Sequence, residues 1–247
     1  MPDTVLALER LTAGYDEAAV IRDLDLTVGT GEVVALLGAN GAGKSTTLRA
    51  ISGLVKPMAG RVLFGGEDLA RTSPSARARQ GIAHVPEGRG LFFGLTVTDH
   101  FRLGHRGEHL DEQVAYEYFP KLQELHGRRV GLLSGGEQQM LAVARALARR
   151  PRLMLLDELS LGLAPVIVEW LLPVVRDFAK EQQCAVLLVE QHVHLALEVA
   201  DRGYVLSHGQ IVLENDAEHL RANRQLLVAS YLGEHGQERD ASPGGSS

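Results

Sequence analysis

Glu32-Val33-Val34-Ala35-Leu36-Leu37-Gly38-Ala39-Asn40-Gly41-Ala42-Gly43-Lys44-Ser45 is the stretch on which the reading of the fold turns. Val33 to Leu37 is apolar without alternation, which suits a strand buried on both faces of a mainly parallel sheet. Gly38 to Ser45 then follows G-x-x-x-x-G-K-[ST] at every fixed position, and a helix is predicted from Lys44 to about Ser52. Glycines let the backbone wrap a phosphate with its N–H groups pointing inward. The helix start adds about half a positive charge. Gly38, Ala39, Asn40, Gly41, Ala42 and Gly43 are therefore expected to form the wall of a phosphate cradle. Lys44 would reach the β- and γ-phosphates, Ser45 would offer its hydroxyl to Mg²⁺, and Thr46 would contact the α-phosphate.

Outward from this stretch, buried strands and helices alternate. Gly81 to Val85, Leu153 to Leu156 and Ala185 to Val189 read as further core strands, with helices between them. Val5 to Leu8 and Leu24 to Val28 read as antiparallel strands about a turn at Gly14. Arg61 to Phe64, with its Gly65-Gly66 turn, reads as another edge strand. Gly203 to Leu206 and Ile211 to Leu213 form an expected hairpin. From about Arg89 to Leu132 the pattern is helical and more polar, and Glu112 to Leu125 is its clearest helix. The expected class is α/β, with a mainly parallel core sheet, an N-terminal antiparallel β subdomain and a helical subdomain over about 89–145. One domain spans 1–235, and 236–247, rich in Gly, Ser and Pro, is expected to be a disordered tail.

Composition narrows the partners. Of 247 residues, 45% are hydrophobic and 23% charged, the profile of a globular domain. The net charge of −6 argues against a nucleic-acid clamp, which needs a basic stripe. The single cysteine, Cys184, excludes an internal disulfide and lies in an apolar run that places it in the core. Met1 to Thr4 carries no basic region, so no secretory leader is expected. No apolar run approaches the ~20 residues that span a bilayer. A role at a membrane would have to come through a partner.

Two further constellations carry chemistry. Leu153-Met154-Leu155-Leu156-Asp157-Glu158 is a buried strand ending in two acids, and strand ends in open α/β sheets face the ligand crevice. Asp157 can hold the Mg²⁺ shell. Glu158, pointing the other way, can polarise an attacking water. Leu133-Ser134-Gly135-Gly136-Glu137-Gln138-Gln139 precedes a helix expected from Met140 to Arg149. Ser134 is a natural N-cap, and Gly135 and Gly136 leave backbone N–H groups bare, so this is a second phosphate-binding helix end. A single nucleotide does not need two full cradles from one chain. The economical solution is a head-to-tail dimer, with the γ-phosphate held between Lys44 of one subunit and Ser134 of the other.

With these residues in place, nearly the whole chain resembles the nucleotide-binding domains of ABC transporters, which have a P-loop NTPase (RecA-like) core. The resemblance implies ATP and Mg²⁺ as ligands, places Tyr15 where an aromatic stacks on adenine, and adds Gln138 to the nucleotide contacts. Val85-Pro86-Glu87-Gly88-Arg89, Leu95 to Asp99, Ser160 to Pro165, Val189-Glu190-Gln191, Ala200 to Leu206 and Ala229 to Gly233 are similar to the shorter ATPase subunit of branched-chain amino acid importers. Urea importers are the nearest competitor. The family implies a longer sister ATPase, two membrane permeases, an external solute receptor and a peripheral place on the cytoplasmic face of the inner membrane.

Three positions depart from the wider family. Glu87 stands where a glutamine senses the membrane partner and approaches Mg²⁺. The switch-histidine slot holds Gln191, with His192 one residue late, so either could serve. Leu159 and Ala164 replace a proline and an acid in the loop after Glu158. The remaining histidines lack metal-ligand spacing. Met140 and Trp170 read as core or interface residues, and Arg145, Arg149, Arg150 and Arg152 read as a solvated helix end. A GTPase is disfavoured because no asparagine precedes any of the four lysines. A repair ATPase would need a long coiled coil between Arg89 and Leu133.

Overall fold

The computed structural model describes residues 3–104 and 110–223. Two sheets and a helical flank are built around two apolar cores. The chain opens with β1 (Thr4–Tyr15), β2 (Ala18–Gly29) and β3 (Val33–Leu37), then α1 (Lys44–Ser52), β4 (Pro57–Phe64), β5 (Glu67–Asp68), α2 (Pro74–Arg79) and β6 (Ile82–Val85). It continues through α3 (Val97–Arg102), α4 (Glu112–Tyr118), α5 (Pro120–Glu124), a 3₁₀ turn at Val130–Leu132, and α6 (Gly135–Leu147). Then come β7 (Leu153–Asp157), α7 (Pro165–Glu181), β8 (Ala185–Val189), α8 (Val193–Val199), β9 (Arg202–Ser207), β10 (Gln210–Asp216) and α9 (Ala217–Ala222).

The central six-stranded sheet has the order β10-β9-β3-β8-β7-β6. All its pairings are parallel except β9 with β10. A second sheet, β2-β1-β4-β5, is antiparallel. Period-two alternation explains the layering. Val33, Ala35 and Leu37 of β3 face a core shared with α6, α7 and α8, while Val34 and Leu36 face a core shared with the antiparallel sheet and α1. β7 and β8 divide in the same way: Met154, Leu156, Val186 and Leu188 on one side, Leu153, Leu155 and Leu187 on the other. The apolar runs are continuous because both faces are buried.

The structure revises several local expectations. The turn between β1 and β2 is at Asp16 and Glu17, and Gly14 lies inside β1. β4 is not an edge strand, since it lies between β1 and β5. The helix expected over Glu112 to Leu125 is two short helices broken at Phe119 (φ −132°, ψ 66°). Pro120 is the cause, since proline lacks an N–H and pushes its predecessor out of the helical region. α6 begins at Gly135, five residues earlier than expected, because Ser134 and Glu137 close a capping box there. Arg145 is not solvated: it is half-buried, and burial lowers its pKa. Trp170 is partly exposed and meets Phe119 edge to face. Cys184 is buried in the core, where desolvation pushes its thiol up to about 12. The tail at 236–247 and the Ala229 to Gly233 segment lie outside the described residues.

Candidate functional site

The loop between β3 and α1 is shaped by two close approaches. Gly38 passes so near β9 that a Cβ would sit 2.4 Å from the Leu206 carbonyl oxygen. Gly43 caps α1 at φ 111°, where a Cβ would meet Ile21 Cγ2 at 2.5 Å. Because its cap has no side chain and no first-turn residue is acidic, α1 presents its N–H groups and partial positive charge to the cleft. Ala42 braces the loop: its N–H donates to Ala39 O at 3.1 Å, and its carbonyl accepts from Gly209 N at 3.0 Å.

Lys44 is buried and crosses the loop mouth, donating from Nζ to Gly38 O at 2.8 Å and to Ala39 O at 3.1 Å. Its Nζ lies 3.9 Å from Glu158 Oε1. Desolvation pulls the ammonium pKa down, opposed by the carboxylates of Glu158, Asp157 and Glu190. Asp157 ends β7 and is 2% exposed. Ser45 Oγ donates to Asp157 Oδ1 at 3.0 Å. Burial raises the Asp157 carboxyl above its usual range, with the Ser45 bond acting against it. From the end of β8, Gln191 Nε2 donates to Glu158 Oε2 at 2.8 Å.

Lys44, Ser45, Glu158 and Gln191 share one cleft of about 510 Å³, lined also by Tyr15, Val20, Asn40, Gly41, Gly43, Thr46, Glu87 and Leu161; Gly38, Ala39, Ala42 and Asp157 stand behind this lining. Tyr15 is exposed at its mouth and accepts from Arg49 Nη1 at 3.0 Å. His192 is not among the lining residues; it precedes α8, with its ring 6.5 Å from that of His194.

Ser134, Gly135, Gly136 and Gln138 are not brought to this cleft. Ser134 caps α6: its N–H donates to Glu137 Oε2 at 2.8 Å, and its Oγ accepts from Glu137 N at 3.2 Å. Gly135 and Gly136 face Leu163 and Ile167 of the loop and helix after Glu158. Gln138 is turned inward, donating to the Val130 and Leu133 carbonyls at 3.2 Å each. Arg89, given no role of its own in the Val85 to Arg89 motif, bolts the Glu87 loop to α6. Its Nη1 donates to Gln138 Oε1 and its Nε to Gln139 Oε1, both at 2.8 Å. A second groove of about 390 Å³ runs beside that loop, lined by Arg77, His84, Pro86, Arg89, Arg145 and Arg149 among others. In it, His84 Nε2 and Arg145 Nε are buried and have no hydrogen-bond partner among the described residues.

The geometry offers an anion-binding helix end, a lysine, a pair of hard oxygens suited to a small divalent cation, and the partly buried Glu158 carboxylate beside them. Residues 21–160 match the sequence profile of the ABC transporter family. The chain is 41% identical over 234 residues to the high-affinity branched-chain amino acid transport ATP-binding protein BraG of Pseudomonas aeruginosa, covering 93% of this chain and 100% of that one. It is 34% identical to the probable branched-chain amino acid transport ATP-binding protein LivF of Archaeoglobus fulgidus, covering 87% and 94%. Its structure is similar to the ADP conformation of MJ1267, an ATP-binding cassette of an ABC transporter, with TM-score 0.80, 26% identity and coverage of 94% and 99%.

Proposed function

This chain belongs to the ABC transporter ATP-binding family, and from that membership we propose that it hydrolyses MgATP to drive an importer of branched-chain amino acids. The resemblance to BraG and LivF, which carry that substrate in their names, supports the substrate. The single observation that supports hydrolysis is the convergence of Lys44, Ser45, Glu158 and Gln191 on one cleft, with the buried Asp157 bonded to Ser45 behind it.

In this reading the N–H groups of Asn40, Gly41 and Gly43, which line the cleft, and the Lys44 ammonium bind the β- and γ-phosphates, and Thr46 meets the α-phosphate. Tyr15 stacks on the adenine. The Ser45 hydroxyl and Asp157 carboxylate, 3.0 Å apart, match the hard oxygen donors Mg²⁺ prefers, with Glu87 at the edge of the same cleft. Ser45 and Asp157 would hold Mg²⁺, and the ion would supply neutralisation of the phosphate charge. Glu158 takes the proton of a water whose oxygen attacks the γ-phosphorus, while the bond to the β–γ bridging oxygen breaks and ADP leaves. Gln191 holds the Glu158 carboxylate in orientation.

Because Ser134, Gly135 and Gly136 do not line the cleft, they are free to close the site of a second ATP-binding subunit, a longer sister of this chain, in a head-to-tail pair. Closure moves the Glu87 loop, and through it two membrane permeases fed by an external solute receptor. The protein then works at the cytoplasmic face of the inner membrane. The experiment is uptake of labelled leucine into vesicles holding the complex purified through this chain, with ATP supplied on its side. We expect uptake that Lys44→Ala abolishes. Uptake of urea but not leucine would overturn the substrate.

A further inference from the structure

Glu158 stands in the left-handed backbone region, at φ 50°. A residue with a Cβ pays roughly 1 kcal/mol or more to stay there, so the surroundings must impose that conformation. All the bonds that do so run to the end of β8. The Glu158 N–H donates to Val189 O at 2.9 Å, and Gln191 Nε2 donates to Glu158 Oε2 at 2.8 Å. Two residues further on, the Ser160 N–H donates to Glu190 Oε1 at 3.0 Å, and the Ser160 hydroxyl donates to Glu190 Oε2.

Glu190 is 0% exposed and Ser160 5%. A carboxylate so enclosed is costly to desolvate unless its oxygens are hydrogen-bonded. Both of its oxygens are engaged by Ser160. The residues on either side are themselves joined, Gln191 to Glu158, so the 160–190 and 158–191 contacts form parallel clasps across the two strand ends. The turn between them is short: Leu161 N–H donates to Glu158 O at 3.2 Å, and Leu163 N–H to Ser160 O at 3.1 Å. If the inner clasp opened, the backbone at Glu158 could relax toward negative φ and turn its carboxylate from the cleft.

We propose that Glu190 is a positioning residue for ATP hydrolysis, which by clasping Ser160 imposes the turn that directs Glu158 into the nucleotide cleft. The inference rests on reading Glu158 as the group that polarises the attacking water. Glu190 acts through Glu158 and touches no substrate.

The test measures phosphate release from MgATP by the full-length chain at concentrations where it pairs, ATP affinity by titration with a fluorescent nucleotide, and folding by circular dichroism. Glu190→Ala is expected to lower kcat between about tenfold and a hundredfold, with ATP affinity within about threefold. Glu190→Gln is expected to keep kcat within about threefold, since its amide can accept from the Ser160 N–H and donate to the hydroxyl. Ser160→Ala removes one bond with little change in volume and should show a smaller kcat loss in the same direction. The double variant should be no slower than Glu190→Ala alone.

Wild-type kcat in Glu190→Ala, or a loss confined to affinity, would overturn the proposal. So would a glutamine variant as slow as the alanine variant. Should Glu190→Ala not fold, Ser160→Ala decides, and wild-type kcat there would overturn it. Glu158→Gln separates the two levels. A loss of about a hundredfold is expected, and wild-type turnover in it would overturn the reading of Glu158 itself. A slow Glu158→Gln beside a fast Glu190→Ala would overturn the clasp alone.

Discussion

Glu87 carries a carboxylate at a position where an amide would serve both as donor and acceptor. It is exposed and lines the nucleotide cleft. We predict that Glu87→Gln keeps ATP turnover within about tenfold, or ~1.4 kcal/mol of barrier; collapse of turnover would assign Glu87 a direct role in the chemistry. His84 makes a pH prediction. Burial pushes its imidazole down to about 4, with Arg49 adding in the same direction, so the fold holds it neutral. As pH falls below the ordinary 6.5, the unfolded chain gains a proton that the folded one refuses. Stability is therefore withdrawn between pH 6.5 and 4, by up to about 3 kcal/mol, and nothing is lost above 6.5. Melting temperatures across that range should fall less for His84→Asn than for the wild type, and equal slopes would contradict the assignment. Lys44 and Ser45 stand out in the sequence as one local motif and Asp157 and Glu158 as another, and the structure joins the two by the Ser45–Asp157 bond. Glu190 and Arg89 were quoted only as parts of motifs. Their partners lie thirty residues away at Ser160 and about fifty away at Gln138 and Gln139, and no local pattern encodes those contacts.

At the scale of elements, the strands were readable and the helical flank less so. β3, β7 and β8 are buried on both faces, so each shows as an unbroken apolar run. The break between α4 and α5 depends on one proline in an otherwise helical pattern, and the early start of α6 depends on a reciprocal cap. Arg89 joins two elements that must move together if the Glu87 loop is to report on α6. Each of its two bonds is charge-assisted, a class worth roughly 1.5–3 kcal/mol. Arg89→Ala is predicted to destabilise the fold by about 2 kcal/mol and to weaken the stimulation of ATP turnover by transported solute in the assembled complex. An unchanged melting temperature with full stimulation would contradict the bolt.

At the scale of the molecule, the two helix starts that we propose to bind phosphate are separate features of one chain. α1 opens onto the cleft with Lys44, whereas the capped start of α6 packs toward Leu163 and Ile167 and lines no part of it. Among the described residues no helix is long and apolar enough to cross a membrane. The central claim is that a complete site needs two such subunits, each giving half of the coordination. The most direct measurement is ATP turnover of Ser134→Arg alongside its nucleotide affinity. The predicted result is turnover reduced by about a hundredfold or more, with ATP still bound within about threefold of the wild-type affinity. Wild-type turnover in that variant, at dilutions where the chain is a monomer, would contradict it.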